Sequence, residues 1–264
     1  MTRLLVDGDS LFFDAFSLPQ LPVSGFGPVR QVGGPSVIPT EVTDEVITRG
    51  VNRFKKRIEE MGNRFYTSDV HVAVKGPHNF RYGIYPEYKS SRKEPTTLLR
   101  DLAGFAIDAA LSEKLVVAAT GMEADDLVRI WAEEARTGAQ DFVVAHIDKD
   151  LDMIDGLHFN YRHNVTYTIE PARALRVFYQ QLLMGDSSDS VPGCKGIGKV
   201  KATRILEGAA DESEMQSRVV HTYMAAHERD WFEQLQLNGR LLYLLKTRED
   251  FFDCRQWDVV RALT

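Results

Sequence analysis

Short apolar runs alternate with segments of helical periodicity along most of this chain, and this alternation restricts the fold more than any other feature. The runs of strand length are Arg3 to Val6, Val70 to Val74, Leu115 to Ala118 and Phe142 to Ile147. Residues 10–16, 40–61, 95–111 and 122–136 have a helical pattern. Strands that alternate with helices predict an α/β fold with a mostly parallel sheet flanked by helices.

The remaining segments extend this plan. Leu18 to Pro39 is rich in Gly and Pro and predicts a long loop. Residues 157–161 and 165–169 predict a hairpin around His163-Asn164, and the pattern is helical from Pro171 onward. We therefore expect an α/β core over residues 1–170 and a helical region over residues 171–264.

Composition excludes some classes of protein and leaves others open. The chain has 264 residues, a net charge of −6 and only two cysteines, without metal-ligand spacing. It has no apolar run of membrane-spanning length and no signal peptide, so we expect a cytoplasmic protein with no membrane partner. Positive charge is concentrated in residues 49–64, 81–93 and 195–204, so the acidic total does not exclude a nucleic-acid partner.

Acidic residues are concentrated where the predicted strands end. The clusters comprise Asp7, then Glu123, Asp125 and Asp126, then Asp148 and Asp150, and finally Asp186 and Asp189. The carboxyl ends of parallel strands form the functional edge of such a sheet, so we expect these carboxylates to be neighbours in space. They would repel one another unless cations lay between them, and Mg²⁺ or Mn²⁺ prefers oxygen ligands.

Each cluster taken alone has an ordinary explanation. An acidic first turn commonly begins a helix, and a lone Asp-x-Asp is usually a solvated loop. Asp148 and Asp150 would share one side of an extended segment, and Asp186 and Asp189 would share a face if their segment is helical. Their joint placement favours two divalent ions about 4 Å apart, an arrangement that hydrolyses phosphodiesters. Asp9, Asp152 and Asp155 lie near the clusters in sequence and are left unassigned.

A glycine- and lysine-rich segment, Pro192 to Lys199, follows the last acidic cluster and is typical of a helix–hairpin–helix. Its glycines permit a tight turn that brings backbone N–H groups close to phosphate oxygens. A monovalent cation such as K⁺ can bridge the loop carbonyls to DNA. The alternative is a glycine-rich turn that only caps a helix. The expected DNA-binding residues are Gly193, Lys195, Gly196, Gly198, Lys199 and Lys201.

A basic and aromatic segment, residues 80–93, is a second candidate nucleic-acid contact. Arg and Lys side chains can neutralise a scissile phosphate, and a Tyr ring can stack on an unpaired base. Taken alone, the segment is more typical of a solvated basic helix end.

Five motifs, in order, resemble the 5′-nuclease family, which includes the 5′-nuclease domain of bacterial DNA polymerase I, bacteriophage 5′-exonucleases and flap endonucleases. The matching segments are Val6-Asp7-Gly8, Phe80-Arg81 with Pro86 to Arg92, Gly121 to Leu127, Asp148-Lys149-Asp150, and Leu183 to Gly193 with the hairpin after it. The similarity runs from about residue 4 to about residue 206.

The resemblance implies a PIN-like, Rossmann-like core, a helical arch at about residues 82–108 and a helix–hairpin–helix at about residues 183–206. It implies one metal site with Glu123, Asp125 and Asp126, and with Asp7 nearby through water. It implies a second site with four acids: Asp148, Asp150, Asp186 and Asp189.

The resemblance also implies roles for the basic segment and for the whole chain. Arg81, Lys89 and Arg92 would face the scissile phosphate, and Tyr88 would stack near the active site. Without a following polymerase domain, we expect the free-standing form common in phages, acting as a monomer. The Leu18 to Pro39 loop would border the DNA path or cover the core.

One position departs from the family pattern. The family has an Asp at the end of the second strand, just before the Phe-Arg motif, whereas this chain has Lys75 as the nearest equivalent. A Lys at this position would weaken the first metal site.

We therefore expect a structure-selective 5′ nuclease that cuts flaps or degrades DNA from the 5′ end and leaves 5′-phosphates. The alternatives are a DNA-binding homologue with a decayed first metal site and a PIN-type ribonuclease.

Overall fold

The computed structural model describes residues 2–17, 43–92 and 97–263 of the chain. The predicted loop at Leu18 to Pro39 lies outside these residues. The described strands are β1 (Arg3–Asp7), β2 (Val70–Asn79), β3 (Val117–Gly121), β4 (Phe142–His146), β5 (Gly156–Asn160) and β6 (Val165–Ile169). The described helices are α1 (Gly8–Ser17), α2 (Asp44–Arg64), α3 (Phe80–Ile84), α4 (Thr97–Ser112), α5 (Ala124–Thr137), α6 (Pro171–Met184), α7 (Lys199–Leu206), α8 (Glu212–His227), α9 (Trp231–Leu242) and α10 (Asp258–Arg261).

The strands form one sheet in the order β3-β2-β1-β4-β5-β6. Strand β1 pairs in parallel with both β2 and β4, and β4 pairs in parallel with β5. Residues 161–164 join β5 to its neighbour β6, as predicted for the hairpin, and Asn164 has a φ of 54° in this turn. The predicted α/β class with a mostly parallel sheet flanked by helices is confirmed.

The described residues form two compact units. The first unit comprises the described residues within 1–78, 94–151 and 156–168 and holds nearly all of the sheet. The second comprises those within 79–93, 152–155 and 169–264 and is mainly helical. Residues 79–93 and 152–155 precede residue 171, the expected start of the helical region. None of the described helices is both long and apolar enough to cross a membrane.

The core of the first unit lies on one face of the sheet. Leu4 and Val6 of β1 pack with Phe12 of α1 and Phe54 of α2, and the two phenylalanine rings stack with their centroids 3.9 Å apart. Because strand side chains alternate between faces, the fully buried Leu5 points to the opposite face, where α5 packs on β1 and β4. Strand β1 is therefore covered on both faces, which explains its continuous apolar run.

The core of the second unit is aromatic. Phe178 and Tyr179 on α6 lie beside Tyr243, Phe252 and Trp257, with ring centroids between 5.2 and 5.9 Å for the contacts made by the two α6 rings. Such edge-to-face and tilted ring pairs stabilise a core beyond the area that they bury.

Gly8 sits where β1 becomes α1, and the backbone there has no room for a side chain. A Cβ at Gly8 would lie 2.7 Å from the carbonyl oxygen of Ala73 and 2.7 Å from Cγ1 of Val72. We expect Gly8→Ala to lower the free energy of unfolding by about 1–3 kcal/mol because the crowded backbone must shift. Urea unfolding followed by circular dichroism measures this change.

The matched control is Gly104→Ala on α4, where a Cβ would meet no atom within 4 Å. Alanine favours helix over glycine, so this variant should be stabilised by up to about 1 kcal/mol. Equal free energies of unfolding for Gly8→Ala and the unmodified chain would contradict the close packing at the β1–α1 turn.

Candidate metal centre

Asp7 and Asp148 come from adjacent parallel strands at the edge where both strands end. Asp7 is the last residue of β1, and Asp148 follows the end of β4 by two residues. The register pairs Val6 with Ala145, which places these strand ends side by side. The Asp7 side chain is only 4% exposed. The sheet thus brings a buried carboxylate next to the Asp148 loop.

The acids of the first unit are close enough to disturb one another's ionisation. Burial, with the charges of Asp9 and Asp148, raises the pKa of Asp7 to about 7, although hydrogen bonds from Ser10 and the Asp9 backbone oppose the rise. Burial also raises the pKa of Asp125 well above its usual range, and the neighbouring charges of Asp7, Asp148, Glu123 and Asp150 add to the effect. The expected convergence of these acids therefore holds within the first unit.

The start of α5 explains why Glu123, Asp125 and Asp126 lie together. Glu123 is the N-cap and forms a capping box with Asp126, whose carboxylate accepts a hydrogen bond of 3.0 Å from the Glu123 N–H. Asp126 is fully buried. The helix dipole favours negative charge at this end. Asp126 thus holds the helix start in place, while Asp125 in the same turn takes part in the carboxylate cluster.

The local geometry around Asp148 and Asp150 differs from the extended segment predicted. Asp150 lies in a 3₁₀ turn, Lys149–Met153, and its N–H donates to Oδ1 of Asp148 at 3.0 Å. The prediction of an extended pair was wrong because the Asp148 carboxylate can bond the backbone two residues ahead, which favours a turn over a strand.

Asp9 is an acid that the sequence reasoning left unassigned. It lies in the first turn of α1, its Oδ1 accepts a hydrogen bond of 2.9 Å from the N–H of Lys75, and its charge raises the pKa of Asp7. The signal in the sequence was the Asp-Gly-Asp at the end of β1. Asp9 adds a carboxylate beside the cluster.

Lys75 does not end the second strand as expected. Strand β2 continues to Asn79, so Lys75 lies within it and is exposed. The strand was predicted too short because His78 and Asn79 are polar, yet both belong to it. Among the acids that raise the pKa of Asp7 and Asp125, none comes from β2.

Asp186 and Asp189 belong to the second unit, in a turn and not in the predicted helix. Asp186 and Val191 form an isolated antiparallel bridge around this turn. Oδ1 of Asp186 accepts hydrogen bonds from the N–H groups of Ser188 at 2.7 Å and Asp189 at 3.3 Å. Helix α6 ends before it because Gly185 has a φ of 71°. Both Asp residues are buried.

The basic segment is bonded to that acidic turn within the second unit. Nε of Arg92 donates to Oδ1 of Asp189 at 2.8 Å, and Nζ of Lys89 lies 3.6 Å from Oδ2. The Lys89 N–H donates to the carbonyl of Asp189 at 2.8 Å, and Lys89 has a φ of 59°, an uncommon conformation for this residue. Two cations and a carboxylate therefore form one compact group.

Two residues of the basic segment are placed differently from their predicted roles. Arg81 is 1% exposed, and its guanidinium donates to the carbonyls of Leu241 and Tyr243 at 2.9 and 2.8 Å. Tyr88 is 3% exposed, and its hydroxyl donates to Oδ2 of Asp189 at 3.2 Å. These contacts favour structural roles: Arg81 holds the backbone at Leu241 and Tyr243, and Tyr88 orients the carboxylate of Asp189. They give no support to direct contact with DNA.

Among the glycines of the predicted hairpin, Gly193 is packed tightly against neighbouring backbone, whereas Gly196 and Gly198 have open space around them. A Cβ at Gly193 would lie 2.2 Å from the nitrogen of Gly185, and Asn238 bonds both the N–H and the carbonyl of Gly193 at 3.1 and 3.2 Å. Gly196 and Gly198 are exposed, and a Cβ at either would meet nothing within 4 Å. Gly193 therefore fixes the hairpin, while Gly196 and Gly198 leave its backbone accessible.

The lysines of the hairpin surround the start of α7. Lys195, Lys199 and Lys201 are exposed, and Gly198 is the N-cap of the helix. Nζ of Lys201 donates to the carbonyl of Gly196 at 2.9 Å. A helix N-terminus with lysines around it is a favourable place for an anionic group.

The carboxylate cluster of the first unit, defined as Asp7, Glu123, Asp125, Asp148 and Asp150, fits a hard divalent cation. Its donors are oxygens, the ligands that Mg²⁺ and Mn²⁺ prefer. Burial, and after it the charges of neighbouring acids, raises the pKa of Asp7 and of Asp125. A cation between the carboxylates would offset the part that comes from their repulsion.

Comparison with known families finds one match over most of the chain. Residues 2–173 match the family described as 5′-3′ exonuclease, N-terminal resolvase-like domain. The chain is 26% identical over 229 residues to DNA polymerase I of Rhizobium leguminosarum. The aligned region covers 78% of this chain but only 20% of the polymerase. It is 28% identical over 226 residues to the 5′-3′ exonuclease of Bacillus subtilis, covering 77% of this chain and 69% of that protein.

Solved structures share the fold at lower sequence identity. The bacteriophage T5 D15 flap endonuclease (D155K), in a complex with DNA and metal ions, matches with a TM-score of 0.67 and 17% identity, over 99% of this chain and 96% of that one. The T5 5′-exonuclease with bound zinc matches with a TM-score of 0.58 and 16% identity, over 92% of this chain and 99% of that one. At this identity the likeness establishes the fold.

Removal of one charge from the carboxylate cluster should stabilise the metal-free protein. Asp125→Asn takes away a carboxylate whose ionisation is opposed by burial and by its acidic neighbours. In excess chelator at mildly alkaline pH, we expect the free energy of unfolding to rise by about 1–2 kcal/mol. Saturating Mg²⁺ should raise Tm less for the variant than for the unmodified chain, because the variant binds the ion more weakly.

The control is Asp108→Asn, since Asp108 is exposed on α4. It should change neither the stability in chelator nor the Mg²⁺-induced rise in Tm. A loss of stability for Asp125→Asn in chelator would argue against a repulsive cluster.

Proposed function

Because the chain belongs to the family of 5′-3′ exonuclease N-terminal resolvase-like domains, we propose that it is a structure-selective 5′ nuclease. It would hydrolyse DNA phosphodiesters at 5′ ends or 5′ flaps and leave 5′-phosphates. The observation that carries the proposal is the burial of Asp7 and Asp125 beside other acids: burial, with charges that include that of Asp148, raises the pKa of both. Acids held together at such a cost in stability are typical of a functional site.

Two divalent ions, Mg²⁺ or Mn²⁺, are part of this proposal. The first would be held by Glu123 and Asp125 with Asp7, and Asp126 would keep the helix start in position. The second would be held by four acids: Asp148, Asp150, Asp186 and Asp189. When bound, such ions polarise a phosphoryl oxygen and lower the pKa of a water molecule.

Lys89 and Arg92 are the residues that we propose for contact with the scissile phosphate. Asp189 holds both cations in place, at 3.6 Å from Nζ of Lys89 and 2.8 Å from Nε of Arg92. Cations that are already oriented need little rearrangement when negative charge develops on a phosphate. The arch at about residues 82–108 remains part of the proposal, because residues 93–96 within it lie outside the described part of the chain.

The hairpin around Gly196 and Gly198 would grip the DNA backbone. Its open backbone and the exposed Lys195 and Lys199 support contact with phosphates independent of base sequence. A monovalent cation such as K⁺ at the loop carbonyls would compete at Gly196 with the ammonium of Lys201, which donates to that carbonyl.

Two other functions remain distinguishable by experiment. The absence of an acid from β2 beside the cluster favours a DNA-binding homologue with a weak first metal site. A PIN-type ribonuclease would cut an RNA flap faster than a DNA flap of the same sequence. The hairpin suits a DNA duplex backbone, so we expect the DNA flap to be cut faster.

Asp148→Asn should remove cleavage while leaving DNA binding intact. Loss of a carboxylate that holds an ion should lower the cleavage rate of a labelled 5′-flap DNA by about 10³-fold in Mg²⁺. Flap affinity, measured by fluorescence anisotropy in Ca²⁺, should be unchanged or slightly higher because one negative charge near phosphate is gone.

The exposed Asp108 again provides the control, and Asp108→Asn should cleave at the unmodified rate. Cleavage by Asp148→Asn at the rate of the unmodified chain would rule out this acid as a metal ligand.

Lys75→Asp tests whether the first site is weakened by the residue in β2. The change would add a carboxylate and remove a cation from a strand next to the one that carries Asp7. We expect a lower Mg²⁺ concentration at half-maximal cleavage, with unchanged flap affinity in Ca²⁺. Superimposable Mg²⁺ titrations for Lys75→Asp and the unmodified chain would show that Lys75 does not limit the site.

A further inference from the structure

Two histidines are buried at the end of the strand that leads to Asp148. His146 is the last residue of β4, and His158 lies on β5, and their side chains are 1% and 0% exposed. The β4–β5 register pairs Val144 with His158, so His158 is the diagonal neighbour of His146 on one face of the sheet. Their ring centroids are 5.0 Å apart.

The ring of His146 is bonded at both nitrogens. Nδ1 lies 2.5 Å from the carbonyl oxygen of Asp148, and Nε2 lies 2.8 Å from Nδ1 of His158. The hydroxyl of Tyr167 on β6 lies 3.2 Å from the same Nε2. A buried imidazole with its hydrogen bonds unmade would destabilise the fold, so these partners are needed for its burial.

The carbonyl of Asp148 determines the tautomer of His146. A carbonyl oxygen can only accept, so Nδ1 of His146 carries the proton and donates it to Asp148. In the neutral ring Nε2 is then an acceptor, and its single lone pair is shared between Nδ1 of His158 and the hydroxyl of Tyr167, at 2.8 and 3.2 Å. His146 thus connects β5 and β6 to the backbone of Asp148.

Asp148 is consequently held at two points. Its carbonyl accepts from His146, and its Oδ1 accepts from the N–H of Asp150 at 3.0 Å. The first bond fixes the backbone just beyond β4, and the second fixes the carboxylate relative to the 3₁₀ turn that carries Asp150. Rotation of the Asp148 peptide would break the first bond.

We propose that His146 is a positioning residue for the metal-binding acids Asp148 and Asp150, in the tautomer that the Asp148 carbonyl selects, with His158 packed against its other nitrogen. The proposal rests on the proposed function, since it takes Asp148 as a ligand of a divalent cation. Residues that orient a metal ligand commonly change metal affinity by about 10–100-fold when they are replaced. His146 acts only through Asp148 and touches no substrate.

The test compares Mn²⁺ affinity, measured by electron paramagnetic resonance of the free ion, among variants of the full chain. His146→Phe removes the donor and should weaken Mn²⁺ binding by about 10-fold or more. His146→Asn carries an amide nitrogen on Cγ, as Nδ1 is, and should restore affinity to within about 3-fold, because the orienting bond to Asp148 is remade. Tyr167→Phe leaves both His146 bonds to His158 and Asp148 in place and should bind Mn²⁺ normally.

If His146→Phe does not fold, comparison of His146→Asn with His146→Gln still tests the proposal. His146→Gln places its amide one carbon further out, near the position of Nε2, and should bind Mn²⁺ more weakly than His146→Asn. A residue needed only for packing would not separate these two polar variants at equal stability in chelator. Equal Mn²⁺ affinity for His146→Asn and His146→Gln, or normal affinity for a folded His146→Phe, would overturn the proposal.

Asp148→Asn separates this proposal from the proposed function. Loss of Mn²⁺ binding in Asp148→Asn with normal binding in His146→Phe would refute the positioning role and leave the nuclease proposal standing. Normal binding in Asp148→Asn would refute the metal assignment itself. If that normal binding were lost in His146→Phe, the ion would lie on imidazole, which also overturns the positioning role.

Discussion

Repulsion among buried carboxylates is the constraint on which the arrangement of the first unit depends. Asp7 is nearly inaccessible to water, and its pKa rises to about 7 because burial and acidic neighbours oppose its charge. A chain selected only for stability would place an apolar residue at the end of β1, as it does at the three positions before it, Leu4, Leu5 and Val6. The fold must therefore hold Asp7, Asp125 and Asp148 together against a force that separates them.

The parallel sheet supplies that restraint. Strands β1 and β4 are paired over four residues immediately before their acids, and α5 packs on both strands with its own N-terminus at the cluster. The dipole of α5 and the capping box of Glu123 and Asp126 offset part of the repulsion locally. His146 further restrains Asp148, because a ring nitrogen of His146 bonds the backbone carbonyl of Asp148.

Periodicity and strand-end acids were sufficient to predict the sheet and the acids of the first unit, because both follow from regular geometry. Short-range hydrogen bonds explain what was missed. The carboxylates of Asp148 and Asp186 bond backbone N–H groups two residues ahead and so form turns where a strand and a helix were expected. The burial of Arg81 depends on carbonyls 160 and 162 residues away in sequence, which no local pattern reveals. Asp9 was left unassigned because an acid next to a strand end can equally face solvent, and its bond to the N–H of Lys75 joins residues far apart in sequence.

The central claim is that divalent cations occupy the carboxylate cluster when DNA is bound. The most direct measurement is a crystal structure with Mn²⁺ and a 5′-flap DNA, in which anomalous scattering locates the ions. Our account predicts two Mn²⁺ peaks about 4 Å apart, one ligated by Asp125 and the other by Asp148. Anomalous density at saturating Mn²⁺ that contacts neither carboxylate would contradict it.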